Sequence, residues 1–461
     1  VNATQENPWQ PYEPSDADPW DLSKVAHLHR RAGFGATWSE LHRDLEAGPA
    51  ASVDRFLSPP APGESELATF AGLRKGAFNA SDVQRLKAYW LFRMRFGNDP
   101  LVEKLTLFWH GHFATSIRKV SSLQAMAKQV EMLRENALGS FVTLANAITG
   151  DAAMLIWLDG RKSEKEHPNE NYAREFLELF TLGPGNYGET DVREAARAFT
   201  GWKAEDTTRG RSAEADPVSR FHRSDHDDGT KTFLGSAGSW DGQAIVRLTL
   251  ERPAAAQFLA RKLYRHFVDD STQPADDLIR PLAEELRTSG YSIRHVMSVI
   301  LRSRHFYAKS VRNRIIKSPV DFSLGMVRML EVPRSRLNLL ALASTCDRQG
   351  QELFAPPSVK GWDGGETWIS STSLLERLNW ATDFVWGNPS IALAPFDPAE
   401  WAEINGIKPP ETAKAFVELL FQNELPAEIQ RIVIEGRADG GSDGLRKSLQ
   451  RALHCPAFQI S

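Results

Sequence analysis

Cysteine is almost absent: Cys346 and Cys455 are the only two in 461 residues. They lie far apart with no ligand spacing, which excludes a cysteine-rich zinc or iron–sulfur site and leaves a single disulfide open. Long apolar runs are also missing. No stretch reaches the roughly 18 residues that a membrane-spanning helix needs, and no positively charged leader precedes a hydrophobic segment. Neither sign of charge dominates, because 55 Lys and Arg stand against 59 Asp and Glu for a net charge of -4. That balance carries no specific nucleic-acid signal. The GxxxxGK[ST] phosphate loop, the GxSxG elbow, the HExxH helix and the kinase motif set are absent as well.

What is present is enough apolar material, 41% of the residues, for a large core and more than one packing unit. Apolar residues recur every three or four positions over 21–32, 37–57, 68–80, 84–96, 99–110 and 119–149, the last as two helices joined at Gly139. The same period returns over 242–250, 252–268, 275–288 and 291–302, then in a pair over 317–345 and near 372–384, 409–419, 425–433 and 442–453. Pro281 is expected to kink its helix or set its start. The expected fold is mainly α, a large multi-helix orthogonal bundle with long ordered loops and minor strands. Residues 1–20, VNATQENPWQPYEPSDADPW, read as a polar extension ahead of a single helical unit over 21–461. Subdomains are expected near 21–202 and 242–461, joined by the polar interval 203–241, where short strands fit.

Residues 169–183, NENYAREFLELFTLG, pose the central question. At about 100° per residue, Asn171, Glu175 and Glu178 share a polar stripe, while Tyr172, Phe176, Leu177, Leu179 and Phe180 form a broad packing face. The carboxylates suit a divalent cation, a proton transfer or a neighbouring arginine. Asn169 reads as the N-cap, and Glu170 supports the helix start. In the companion DVREAARAF, Asp191 reads as a cap with Glu194 three residues on.

Histidines supply a second set. In LTLFWHGHF a continuous helix directs His112 with Leu105, Phe108 and Trp109, and His110 to the opposite side, near Glu103 and Thr106. The polar interval adds FHRSDHDDGTKTFLG, where His222, His226, Asp227 and Asp228 offer nitrogen and oxygen ligands and Lys231 a contact for phosphate or carboxylate. Solvated turns account for these residues equally well. In RKLYRHFV, residues Arg261, Lys262, Arg265 and His266 suit an anion, although packing through Leu263, Tyr264 and Phe267 beneath a charged surface is the preferred reading. Trp362 and Trp368 in PPSVKGWDGGETW serve either as a ring-stacking wall or as loop packing.

Taken together, RRAGFG, FWHGHFATS, PNENYAREFLELFTLG, DVREAARAFTGW, HDDGTKTFLG, FLARKLYRHFV, ILRSRHFY, IKSPVDF and PPSVKGWDGGETWI resemble the bacterial family catalogued as domain of unknown function 1800. The ordered set covers nearly the whole chain after the first twenty residues or so. The resemblance implies one large helical unit, often exported, and a periplasmic or extracellular location is therefore expected. It brings no established reaction.

The function expected from these residues is a metal-assisted hydrolase acting on an anionic glycan or cell-envelope ester. His110 or His112, Glu175 and Glu178, with His226 and Asp227 from the loop, would hold one or two divalent metal ions. Glu175 or Glu178 would activate water, Arg174 or Lys231 would stabilise developing negative charge, and Asn171, Trp362 and Trp368 would contact substrate. The competing expectation is a noncatalytic envelope-associated scaffold or a module that binds carbohydrate or protein. Nothing in the sequence specifies an oligomeric state.

Overall fold

A computed structural model describes residues 7–79, 82–206, 216–391, 393–422, 424–435 and 441–461. The described residues form 22 α-helices and two small antiparallel sheets, Trp202–Asp206 with Pro217–Phe221 and Lys231–Phe233 with Ser236–Gly238. The fold is mainly α. Both sheets lie in the polar interval, where apolar residues lose the helical period.

Two helices position the site, and local chemistry sets the limits of each. Pro100–His112 begins with proline at its first position, where the missing N–H costs nothing. Glu103, in its first turn, is fully buried and accepts from Arg93 at 2.9 Å, Arg134 at 2.7 Å and the Trp90 indole at 2.9 Å. That carboxylate ties the helix to Val83–Phe96 and Leu123–Glu135. Pro253–Phe267 also opens on proline. Its residues Ala256, Leu259, Ala260, Leu263 and Phe267, three or four apart, bury one face in the core.

The core consists of two apolar clusters, and the N-terminal helices feed both. Helix Leu22–Ala32 gives Leu28 and Ala32 to one cluster and Val25 and Ala26 to the other. Within the expected polar extension, Trp9 and Tyr12 are buried. The Trp9 indole donates to Leu278 O at 2.8 Å, and the Tyr12 backbone N–H donates to Arg302 O at 2.7 Å. The stretch from Trp9 to Trp20 is thus part of the folded unit, and residues 1–6 lie outside the described residues.

Several boundaries differ from the sequence reading. The helix expected over 68–80 begins at Glu64, and three short helices, Ile117–Val120, Ala152–Trp157 and Pro398–Ile404, were too short to show a period. Pro281 lies inside Asp276–Thr288 without ending it. The bond it forgoes is to the exposed Asp277 carbonyl, which water can satisfy. Asp191 is not the cap of its helix: Glu189–Ala198 has Gly188 at the N-cap, three residues before Asp191. The Asp191 carboxylate instead accepts the Gly188 N–H at 2.8 Å from within the first turn and the Leu234 N–H at 2.8 Å, clamping the second hairpin.

Candidate functional site

A cleft of about 310 Å³ opens where three elements meet. One wall is the end of Pro100–His112, with Lys104, Phe108, Gly111 and His112; a second is the end of Pro253–Phe267, with Lys262, Arg265 and His266. The third is the Gly-rich loop carrying Lys360, Trp362 and Asp363, with Trp368 behind it. Arg31 and Asp321 close the floor.

The loop reaches this position through glycine. Gly361 has φ +81°, and a Cβ placed there would lie 2.1 Å from the Gly111 carbonyl oxygen. Only a residue without a side chain allows the loop to lie on the helix so closely. Trp362 is then placed against Gly111 and packs edge-on to His110, with ring centroids 5.6 Å apart.

The two histidines diverge as helix geometry requires. His110 is buried and its Nε2 accepts the Phe354 N–H at 3.1 Å. Burial lowers its pKa to about 3, so it is a neutral packing residue. His112 Nε2 lies 3.0 Å from Phe180 O, which requires the proton on Nε2 and leaves the Nδ1 lone pair to accept from Lys262 Nζ at 3.2 Å. Burial, then Lys262, holds the His112 pKa well below the ordinary value.

The NENYAREFLELFTLG segment contributes to this arrangement mainly through its backbone. After Glu170–Glu175 the helix widens into a π-helical stretch, Phe176–Thr181. A π-turn alters the carbonyl register; here Leu179 O accepts from Lys262 Nζ at 3.0 Å and Phe180 O from His112. Asn169 caps the helix as expected, accepting the Asn171 N–H at 2.8 Å. Asn171 is exposed, and Glu178 accepts the Tyr187 hydroxyl at 2.9 Å. Glu175 has its pKa raised by burial and then by Glu178, with Lys360 opposing, and neither Glu lines the cleft. Arg174 is engaged at the surface, bidentate to Glu189 at 2.7 and 2.8 Å.

The 222–231 loop folds on itself. Asp227 pairs with Arg197 at 2.7 Å, and His226 Nδ1 lies 3.0 Å from Thr200 O. Lys231 is buried and donates to the Gly229 and Asp227 carbonyls. Asp227 ties the loop to helix Glu189–Ala198, His226 to Thr200 just beyond it and Lys231 to the loop's own carbonyls, and none of the three lines the cleft. Among the described residues, no group of three or more His, Cys, Asp or Glu side chains is placed to hold a metal ion. The sequence-predicted set therefore divides: His112, Trp362 and Trp368 line the cleft, His110 supports it from behind, and His226, Asp227 and Lys231 belong to another neighbourhood.

The cleft is instead lined by a concentration of basic side chains, Arg31, Lys104, Lys262, Arg265 and Lys360, against Asp270, Asp321 and Asp363. Lys104 pairs with Asp321. Arg31 is spent on the Phe267 and His266 carbonyls and on Ser461 Oγ. Arg265 has no hydrogen-bond or ion-pair partner among the described residues, and its Nε is buried. The buried His266 Nε2 beside it is also unpartnered. Burial, then Lys104 and Arg31, lowers the His266 pKa to about 3. Arg261, one turn away, faces outward to Pro274 O and Asp276. The preferred reading of RKLYRHFV as packing beneath surface charge thus fails for Lys262, Arg265 and His266. Their spacing on one helix face was the available signal. Arg31 and Asp321 were marked only as members of RRAGFG and IKSPVDF, and Lys104, within an apolar-periodic window, carried no signal.

The family described as "Protein of unknown function (DUF1800)" matches residues 27–460. The chain belongs to that family. No curated protein and no solved structure matches it. Membership in DUF1800 accounts for the ordered motifs, and two that lie far apart in the sequence, FWHGHFATS and PPSVKGWDGGETWI, meet at Gly111 and Gly361. No helix among the described residues is long and apolar enough to cross a membrane.

Proposed function

We propose that this DUF1800 chain recognises an anionic ligand in the cleft, of the class of a charged glycan or a cell-envelope ester bearing carboxylate, sulfate or phosphate. The observation that carries this reading is Arg265, a guanidinium in the cleft wall that makes no hydrogen bond or ion pair among the described residues and has only the through-space charge of Asp270 to offset it. A partly buried, unpaired cation costs several kcal/mol unless an anion completes it, at about 3–5 kcal/mol when a partner is withdrawn. Trp362 supplies an aromatic face beside it for a ring.

Recognition alone fits the noncatalytic binding module. Hydrolysis is the second reading, favoured by the Lys262–His112 contact, which gives the cleft a proton acceptor. The divided positions of His110, His112, His226 and Asp227 support neither a shared metal nor the combined site first expected from them.

Isothermal titration with inorganic sulfate and phosphate, at fixed ionic strength in chloride, tests the reading. Wild-type protein is expected to bind one sulfate, and Arg265→Gln to bind it at least about tenfold more weakly, the factor equivalent to 1.4 kcal/mol. Equal binding by the two proteins counts against the assignment.

A further inference from the structure

Unlike Lys104 and Lys87, Lys262 makes no ion pair with a carboxylate among the described residues. Lys104 has Asp321 and Lys87 has Asp347 and Glu352. Lys262 Nζ donates only to neutral acceptors, Leu179 O at 3.0 Å and His112 Nδ1 at 3.2 Å. A neutral amine has two N–H groups and one lone pair, so these two acceptors satisfy both hydrogens. The charged ammonium would carry a third N–H with no oxygen or nitrogen acceptor, only the Phe258 ring face 5.0 Å from Nζ. Arg265 one turn away further disfavours a second positive charge.

We propose that Lys262 is a nucleophilic amine that forms an imine with an anionic carbonyl compound held in this cleft. The choice of ligand rests on the anion-recognition reading, with Arg265 holding the charged group and Lys262 meeting the carbonyl carbon. The lone pair forms the C–N bond as the carbonyl π electrons move to oxygen. One amine proton passes to that oxygen, giving a carbinolamine. The oxygen then leaves as water with a second proton, and the nitrogen lone pair closes the C=N bond. Amine and carbonyl give imine and water, with no oxidant or reductant needed. His112 is a positioning residue: its Nε2–H bond to Phe180 O fixes the tautomer whose Nδ1 faces the amine.

Glyoxylate with sodium cyanoborohydride is the test, since hydride reduces any imine to a stable carboxymethyl amine. Peptide mass spectrometry on the wild-type chain is expected to show Lys262 labelled at least about tenfold faster than the exposed Lys408. Lys262→Arg should remain folded by circular dichroism and lose this label. Labelling of Lys262 no faster than Lys408 overturns the proposal. Sulfate binding without Lys262 labelling removes the amine chemistry and leaves the anion reading standing. Rapid labelling that sulfate neither slows nor accompanies by binding supports the amine and sinks the anion reading.

Discussion

Replacing Gly361 with alanine puts a methyl carbon 2.1 Å from the Gly111 carbonyl oxygen, where an ordinary contact needs more than about 3.4 Å. The helix side cannot yield easily, because Pro100–His112 is held by the buried Glu103 carboxylate between Arg93 and Arg134. The loop must therefore move by about 1 Å, taking Lys360 and Trp362 with it. Alanine at φ +81° adds about 1–2 kcal/mol of left-handed backbone strain, and overpacking adds about 1–3 kcal/mol. Together the loss is about 2–5 kcal/mol, a large part of a typical 5–15 kcal/mol stability but short of certain unfolding. Denaturant unfolding followed by circular dichroism measures the loss, and sulfate titration of the folded variant reports the cleft. Both stability and sulfate affinity are expected to fall. A Gly361→Ala chain with wild-type stability and wild-type sulfate binding would refute the close approach on which the third wall depends.

Glu103→Gln leaves the largely buried Arg134 without its carboxylate, while Arg93 keeps Asp99 at 3.7 Å, and unfolding experiments are expected to show a loss of about 3–5 kcal/mol; a loss under about 1 kcal/mol would mean that the pair is solvated. Asp151 gives a pH signature. Burial pushes its carboxyl up to about 6 from 3.8, so the folded chain holds this proton more tightly than the unfolded chain. Its stabilising contribution is full below about 4 and is lost as pH rises to about 6, by at most about 3 kcal/mol. The wild-type minus Asp151→Asn difference in unfolding free energy is expected to fall across that window, and a flat difference contradicts the burial argument.

Much of the helical framework was legible because its apolar faces repeat at three and four residues, as in Leu259, Leu263 and Phe267. The opposite directions of His110 and His112 followed from the same geometry. The convergence of sites did not follow. FHRSDHDDG presents ligand types in a short loop, yet Arg197, Thr200 and the loop's own carbonyls consume them, and those partners are invisible to spacing. Glu175 and Glu178 drew attention as charged residues, while the groups that reach the cleft residues from that segment are the Leu179 and Phe180 carbonyls. A π-helical register leaves no mark in side-chain type. Conversely, Lys262, Arg265 and His266 were visible at three- and four-residue spacing, but only the approach of the Trp362 loop and of Pro100–His112 makes that face a cleft.

Soaking crystals with tungstate, a sulfate-like anion with strong anomalous scattering, tests the cationic cleft most directly. The predicted result is an anomalous peak within hydrogen-bond distance of Arg265 and facing Lys262 and Trp362, lost in Arg265→Gln. Tungstate only at exposed lysines and helix ends, with the cleft empty, would contradict the account.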